Sequence, residues 1–355
     1  MQTQLRGIGQ VLDFNRQARH ARVYEGNLKI GYFGCSDGRP DLESYIHAPF
    51  GMVRQWRNIG GVHDADAWDS LQSSVKDFAL GALAQGQQVL FITSSHGVQD
   101  VKELGCKGHE FDTEKAKASA KTLKASLDGF FEDCPNIFTI QIHMETDEEA
   151  LVLYNDAGQA LHLRELDPGI SEDAVHVKLT QLYRHPDHSR QMPHAMLEGL
   201  LGPVMENIRH IAAMRETERP PWAFDHQEWV LAIGGGFDWL YGQSNVAFSI
   251  GLHDPDLFRG VALKARLMGG TVQRKGFVEK RGVVIIVSAP YTPDPYGIGQ
   301  RIAVARASKL APHVRTTVLN AAPELEKYFQ MLVVATNVET WDLDLLLIEN
   351  NDGMA

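Results

Sequence analysis

Three cysteines in 355 residues are too few, and odd in number, for a disulfide framework. Cys35, Cys106 and Cys134 read instead as thiols of a reducing compartment, used as small buried side chains, metal ligands or nucleophiles. Long apolar runs are also missing. The longest stretches, Val283–Pro290 and Leu343–Ile348, fall far short of the ~20 residues a membrane helix needs. No basic segment followed by an apolar one opens the chain, so no secretion signal is expected. Positive charge is scarce: 34 Lys and Arg face 45 Asp and Glu, a net −11 that argues against nucleic acid and anionic membrane as partners. What is present is an ordinary globular composition, 44% hydrophobic and 22% charged. At roughly 150 residues per domain the length implies about two domains. The expectation is a mildly acidic, cytoplasmic protein.

Hydropathy patterning divides the chain into four parts. Residues 1–24 form a helical lead-in. Residues 25–166 carry strands at Leu28–Phe33, Met52–Trp56, Val89–Thr93 and Ile137–Ile142, with helices at Asp66–Ala84 and 113–131 between them. A hairpin, Ala150–Tyr154 with Ala160–Leu166, follows. Strands alternating with helices predict an α/β fold with a mostly parallel sheet flanked by helices. Residues 167–225 read as a connector with helices near 174–183 and 195–217, closed by Arg219-Pro220-Pro221. His185-x-x-His188 in this stretch is half of a metal-ligand pattern without a matching second half.

Residues 226–355 repeat the first pattern. Val230–Ile233 runs into Gly234-Gly235-Gly236-Phe237-Asp238, an echo of Phe33-Gly34-Cys35-Ser36-Asp37. Ile250-Gly251-Leu252-His253-Asp254 echoes Ile59-Gly60-Gly61-Val62-His63-Asp64, and Asp64, Asp254 and Pro255 suit helix starts. Val283–Ser288 echoes Val89–Ser94, and Glu339-Thr340 echoes Glu145-Thr146. The copies differ where chemistry would reside: Cys35 becomes Gly236, Arg39 becomes Leu240, His96 becomes Pro290 and Cys106 falls near Gln300. The second copy is expected to be degenerate and to bind no metal.

In the first copy, Cys35, His96 and Cys106 fall at or beyond the carboxyl ends of predicted parallel strands, the edge where α/β sheets place their sites. Two thiolates and one imidazole suit Zn²⁺ and leave a fourth position for water. Asp37 is placed to orient that water by accepting its hydrogen bond, and Arg39 to hold the carboxylate. The chemistry so assembled is a zinc-activated water nucleophile.

Cys35-Ser36-Asp37-Gly38-Arg39, the Arg57-Asn58-Ile59-Gly60 block and a strand ending in Ser95-His96-Gly97 resemble the β-class carbonic anhydrases. Their pattern is Cys-x-Asp-x-Arg with a later metal-binding His and Cys. The usual His-x-x-Cys is absent, since position 99 is Gln99; Cys106 supplies His-x₉-Cys, a wider spacing similar to the carboxysome shell branch and to the cadmium-capable ζ class. The shell branch also carries a degenerate second half, whereas ζ repeats keep their sites, so the shell branch is the nearer likeness. It implies Cys35, His96 and Cys106 as ligands of one Zn²⁺ per chain and Asp37 and Arg39 as the catalytic dyad. The implied activity is reversible hydration of CO2 to bicarbonate and a proton. Family members are dimers of like folds, which implies a pseudo-dimer within the chain and a homo-oligomer built from it. The shell branch carries a further N-terminal domain, and the expectation without one is the cytoplasm rather than the carboxysome.

Alternatives stay open from the residues alone. Cys106 also reads as a buried helix end after Leu104-Gly105, with Cys134 or Asp112 as third ligand. His47, His63 and His109 are proton-shuttle candidates by type. A site of this kind also suits carbon disulfide or carbonyl sulfide as substrate, and a regulatory or scaffolding relative would keep the metal without turnover. Gly234-Gly235-Gly236 and Gly297-Ile298-Gly299 lack the spacing and the acidic residue of a nucleotide-binding loop.

Overall fold

The computed structural model describes residues 6–21, 24–61, 65–98, 101, 105–184, 190–217, 226–242, 246–254, 256–275 and 282–350, with backbone alone at 65–67, 70, 271–275 and 350. His63, Asp64, His185, His188, Pro255 and the Arg219-Pro220-Pro221 stop lie outside the described residues. The chain forms two compact units, Val23–Cys35 with Arg39–Asp225, and Met1–Arg22 with Ser36–Gly38 and His226–Ala355.

The first unit is built on a six-stranded sheet. Its strands are β1 (Leu28–Cys35), β2 (Val53–Asn58), β3 (Gln88–Gly97), β4 (Ile137–Glu145), β5 (Ala150–Tyr154) and β6 (Ala160–His162), in the order β2-β1-β3-β4-β5-β6. The first four pair in parallel and the last two join antiparallel, as the hairpin pattern predicts. Strand β4 is buried along its whole length and β3 at all but its first residue, as expected of parallel strands covered on both faces. On one face Ile30, Tyr32, Leu90 and Ile92 pack with residues of α5 (Glu172–Tyr183) and α6 (His194–Glu216). On the other, Phe33 and Phe91 pack with α3 (Ala65–Ala84) and α4 (Thr113–Phe130). The helices predicted between 167 and 225 thus complete the core of this unit. A one-turn helix, α2 (Leu42–Tyr45), follows the Cys35–Arg39 turn.

The second unit has a five-stranded sheet of β7 (Val230–Gly234), β8 (Ala247–Gly251), β9 (Val283–Tyr291), β10 (Phe329–Asn337) and β11 (Leu343–Asn350), in the order β11-β10-β9-β7-β8. Helices α7 (Leu257–Lys275) and α8 (Ile298–Ala321) accompany it. The lead-in helix α1 (Arg6–Ala21) belongs here: the Ile8 N–H donates to Gln330 Oε1 at 3.1 Å and Asn15 Nδ2 to the Trp341 carbonyl at 2.9 Å.

Taken from its other edge, the second sheet repeats β2-β1-β3-β4-β5, with three parallel pairings and then an antiparallel one. The chain is therefore an α/β protein of two like repeats. The ladders also refine the motif alignment. With Val89–Ser94 set against Val283–Ser288, Ile233 takes the place of Phe33, Ile250 that of Trp56 and Asn337 that of Glu145. The echoes drift because turns, not strands, differ between copies. One extra residue is taken up at Gly234, where φ is 122° and a Cβ would stand 1.7 Å from the Ser288 carbonyl oxygen, so only glycine fits.

Candidate metal centre

Strand β1 leads to β2 on one side, and the chain then crosses to β3 on the other, making the β1/β3 boundary the switch point where such sheets open a crevice. Cys35 is the last residue of β1 and His96 the penultimate residue of β3. Cys106 lies in the loop that follows. All three are buried, at 6%, 2% and 2% exposure. Their ligand atoms lie within 4.8 Å of one another, and the two Sγ atoms are 3.7 Å apart. That separation is far beyond a disulfide and close to the ~3.8 Å edge of a tetrahedron with Zn–S bonds of about 2.3 Å. The donor set and its spacing fit a zinc ion. The other third-ligand candidates are engaged elsewhere. Cys134 is half-buried beside the α3–α4 core, and the Asp112 carboxylate caps α4 by accepting the Lys115 N–H at 3.0 Å.

The loop holding Cys106 is fixed by backbone contacts. The Cys106 carbonyl accepts the N–H groups of His109 and Phe111, each at 3.0 Å, closing a short 3-10 turn over Lys107–His109. Cys106 therefore opens a turn rather than ending a helix. His109, buried, donates from Nε2 to the Gly60 carbonyl at 2.8 Å. Gly108 stands against Gly60 so closely that a Cβ on it would lie 2.6 Å from the Gly60 Cα. Gly60 itself has φ 68°. The Arg57–Gly60 block thus acts mechanically, and its end braces the Cys106 loop.

Its beginning braces the turn that follows Cys35. Buried Arg57 donates from Nε to Gln55 at 2.6 Å and from a terminal nitrogen to the Pro40 carbonyl at 3.3 Å, and stands 3.6 Å from Asp41. Gln55 donates on to Glu43 at 3.2 Å. Arg39 is buried, and its carbonyl accepts the Tyr45 hydroxyl and the Asp41 N–H, each at 3.0 Å. Burial drives the Tyr32 hydroxyl up to about 12 despite the opposing pull of Arg57, so it serves as a neutral hydrogen-bonding post for Ser94 at 2.9 Å. Burial likewise lifts Tyr45 well above its ordinary range.

Asp37 lies in Ser36–Gly38, the segment that belongs to the second unit. There the Gly38 N–H donates to Glu228 Oε1 at 3.0 Å, and the Ser249 N–H to the Ser36 carbonyl at 3.0 Å. His226 Nδ1 is 3.2 Å from both Glu228 carboxylate oxygens and 3.8 Å from Asp37. His226 and Glu228 were not legible in the sequence. The strand starting at Val230 was, but no pattern tells which polar side chain before it meets a turn 190 residues away. Of the shuttle candidates, His109 is engaged as described, and His47 Nε2 is 3.1 Å from His210 Nδ1, whose Nε2 is 2.7 Å from Glu149.

Among the described residues, the second unit brings no such donors together at the matching place. A Cβ on Gly236 would fall 3.5 Å from the Cβ of Pro290 and 3.0 Å from that of Thr336. Gly236 and Pro290 therefore adjoin each other, as Cys35 and His96 do, with neither able to ligate.

These features define a class: a two-repeat α/β protein with a buried Cys-His-Cys cluster at the switch point of its first sheet. No protein-family model and no curated protein sequence matches the chain. Among solved structures it is similar to the β-carbonic anhydrase CcaA, with 12% identity and a TM-score of 0.30 over 44% of this chain and 91% of that one. It is also similar to the β-carbonic anhydrase CafA of the fungal pathogen Aspergillus fumigatus, with 15% identity and a TM-score of 0.27 over 49% of this chain and 96% of that one. No described helix is long and apolar enough to cross a membrane.

Proposed function

We propose that the chain catalyses the reversible hydration of CO2 to bicarbonate and a proton, using one Zn²⁺ held by Cys35, His96 and Cys106. The observation that carries this reading is the convergence of three buried soft and borderline donors in a repeat whose twin has glycine and proline instead. When bound, zinc would supply Lewis-acid polarisation of a water molecule, making it a nucleophile. The protein's part is to hold and orient. Asp37, two residues after Cys35 in the chain, accepts the hydrogen bond of the attacking water and so fixes the direction of its lone pair. Arg39 holds that carboxylate in place. Glu228, through the Gly38 N–H, sets the turn on which Asp37 sits.

The intact Cys35-x-Asp37-x-Arg39 motif favours an enzyme over a structural metal site, which has no use for an orienting dyad. On this reading the second repeat stands in for the second subunit of a dimer, and the assembled protein is a homo-oligomer of such pseudo-dimers. The test is stopped-flow CO2 hydration paired with metal analysis. Zinc-loaded protein is expected to turn over CO2, with activity tracking occupancy of the Cys-His-Cys site.

A further inference from the structure

A second cluster of metal-ligating side chains lies on the helix pair α5 and α6 of the first unit. His176 on α5 and Glu198 on α6 approach to 2.8 Å, from Nε2 to Oε1. His194, the first residue of α6, places Nδ1 3.7 Å from the same oxygen. The imidazole centroids are 6.1 Å apart and nearly perpendicular, at 82°. All three ligand atoms lie within 4.8 Å of one another. None of these residues belongs to the Cys-His-Cys site, and none has a role in the hydration reaction.

We infer that His176, His194 and Glu198 form a second binding site for a divalent transition-metal ion of the zinc type. The chemistry rests on three points. Two neutral imidazoles and a carboxylate are a recurrent ligand set for such ions. His194 and Glu198 are four residues apart on one helix, which sets both side chains on one face. His176 reaches them from the neighbouring helix, so the set spans two elements. With Zn–N and Zn–O bonds near 2.1 Å, neighbouring tetrahedral ligands stand about 3.4 Å apart. The observed 2.8 and 3.7 Å bracket that value. Glu198 Oε1 thus faces one ring nitrogen of each imidazole. Exposure rises from His176 at 31% through Glu198 at 51% to His194 at 68%, which leaves room for solvent to complete the coordination. The ion would tie α5 to α6, and these two helices cover the sheet that carries the first site.

The experiment is titration of Zn²⁺ into full-length protein whose Cys-His-Cys site is already filled, with bound metal counted by equilibrium dialysis. The wild type is expected to take up one further, weaker equivalent. H176A/H194A and E198Q are expected to weaken that uptake by at least ~10-fold while retaining the first equivalent. C106S is expected to do the reverse, losing the tight equivalent and keeping the weak one. All the substituted helix residues are at least partly exposed, so folding is not at stake. Absence of a second equivalent in the wild type would overturn the assignment and leave the cluster as ion pairs only. Persistence of that equivalent in H176A/H194A would overturn it as well. Neither result bears on whether the Cys-His-Cys site holds zinc, so the two readings fail separately.

Discussion

Cys35, His96 and Cys106 were each recognisable by type and by position at strand ends, but their grouping depended on the loop after β3. Spacing alone left Cys134 and Asp112 as rivals, because a nine-residue gap does not say where a loop returns. The structure brings the three together, with Cys106 held at the head of the 3-10 turn at Lys107–His109. Two substitutions separate the thiols. Cys106→Ser is expected to lose tightly bound metal, while Cys134→Ser keeps both metal and turnover, as metal analysis on purified protein will show. Asp37 tests the chemistry rather than the binding. Asp37→Ala is expected to retain zinc and to lower kcat for CO2 hydration by about 100-fold or more, since it removes the group that positions the nucleophile. Full activity in that variant would show that the carboxylate has no such role.

At the scale of elements, strands and helices were largely legible from hydrophobic periodicity, because β1, β3, β9 and β10 hold central apolar runs, while β4 alternates apolar with polar residues and is buried throughout. The sequence placed strand ends early. Cys35, Ser95 and His96 still pair or align within the sheet, yet carry polar groups that look like loop. Turn chemistry was less legible: Gly60 and Gly108 meet only in three dimensions. Gly108→Ala is expected to weaken zinc binding by at least ~10-fold without touching a ligand, because its methyl group has no space against Gly60 and displaces the Cys106 loop. Competition with a chelator of known affinity measures this. The turn after β8 carries a pH signature. Burial pushes His253 down to about 4 from its ordinary 6.5, so the folded chain keeps the ring neutral where the unfolded chain protonates it. The associated stability is fully present above about 6.5 and is lost as pH falls from there towards about 4. Between pH 7 and pH 5 the loss is up to about 2 kcal/mol. His253→Gln is expected to flatten that part of the stability profile, as urea unfolding at the two pH values will show.

For the whole molecule, the internal repeat was the strongest statement available from sequence, and the two sheets share strand order and pairing sense. The motif echoes reported the repeat correctly while misplacing individual residues, since loops of different length slide short motifs past one another. Within such a scheme the helices between the repeats read as a connector, yet α5 and α6 close the core of the first unit. Hydropathy records that a helix has an apolar face, not which sheet that face meets. The two repeats are asymmetric: one brings three donors together, and the other has Gly236 and Pro290 where two of them would stand. The most direct test of the account is the initial rate of CO2 hydration as zinc is added to metal-free protein. The rate is expected to rise linearly and to stop rising at one equivalent per chain. A protein carrying that full equivalent on Cys35, His96 and Cys106 yet hydrating CO2 no faster than buffer would contradict the account.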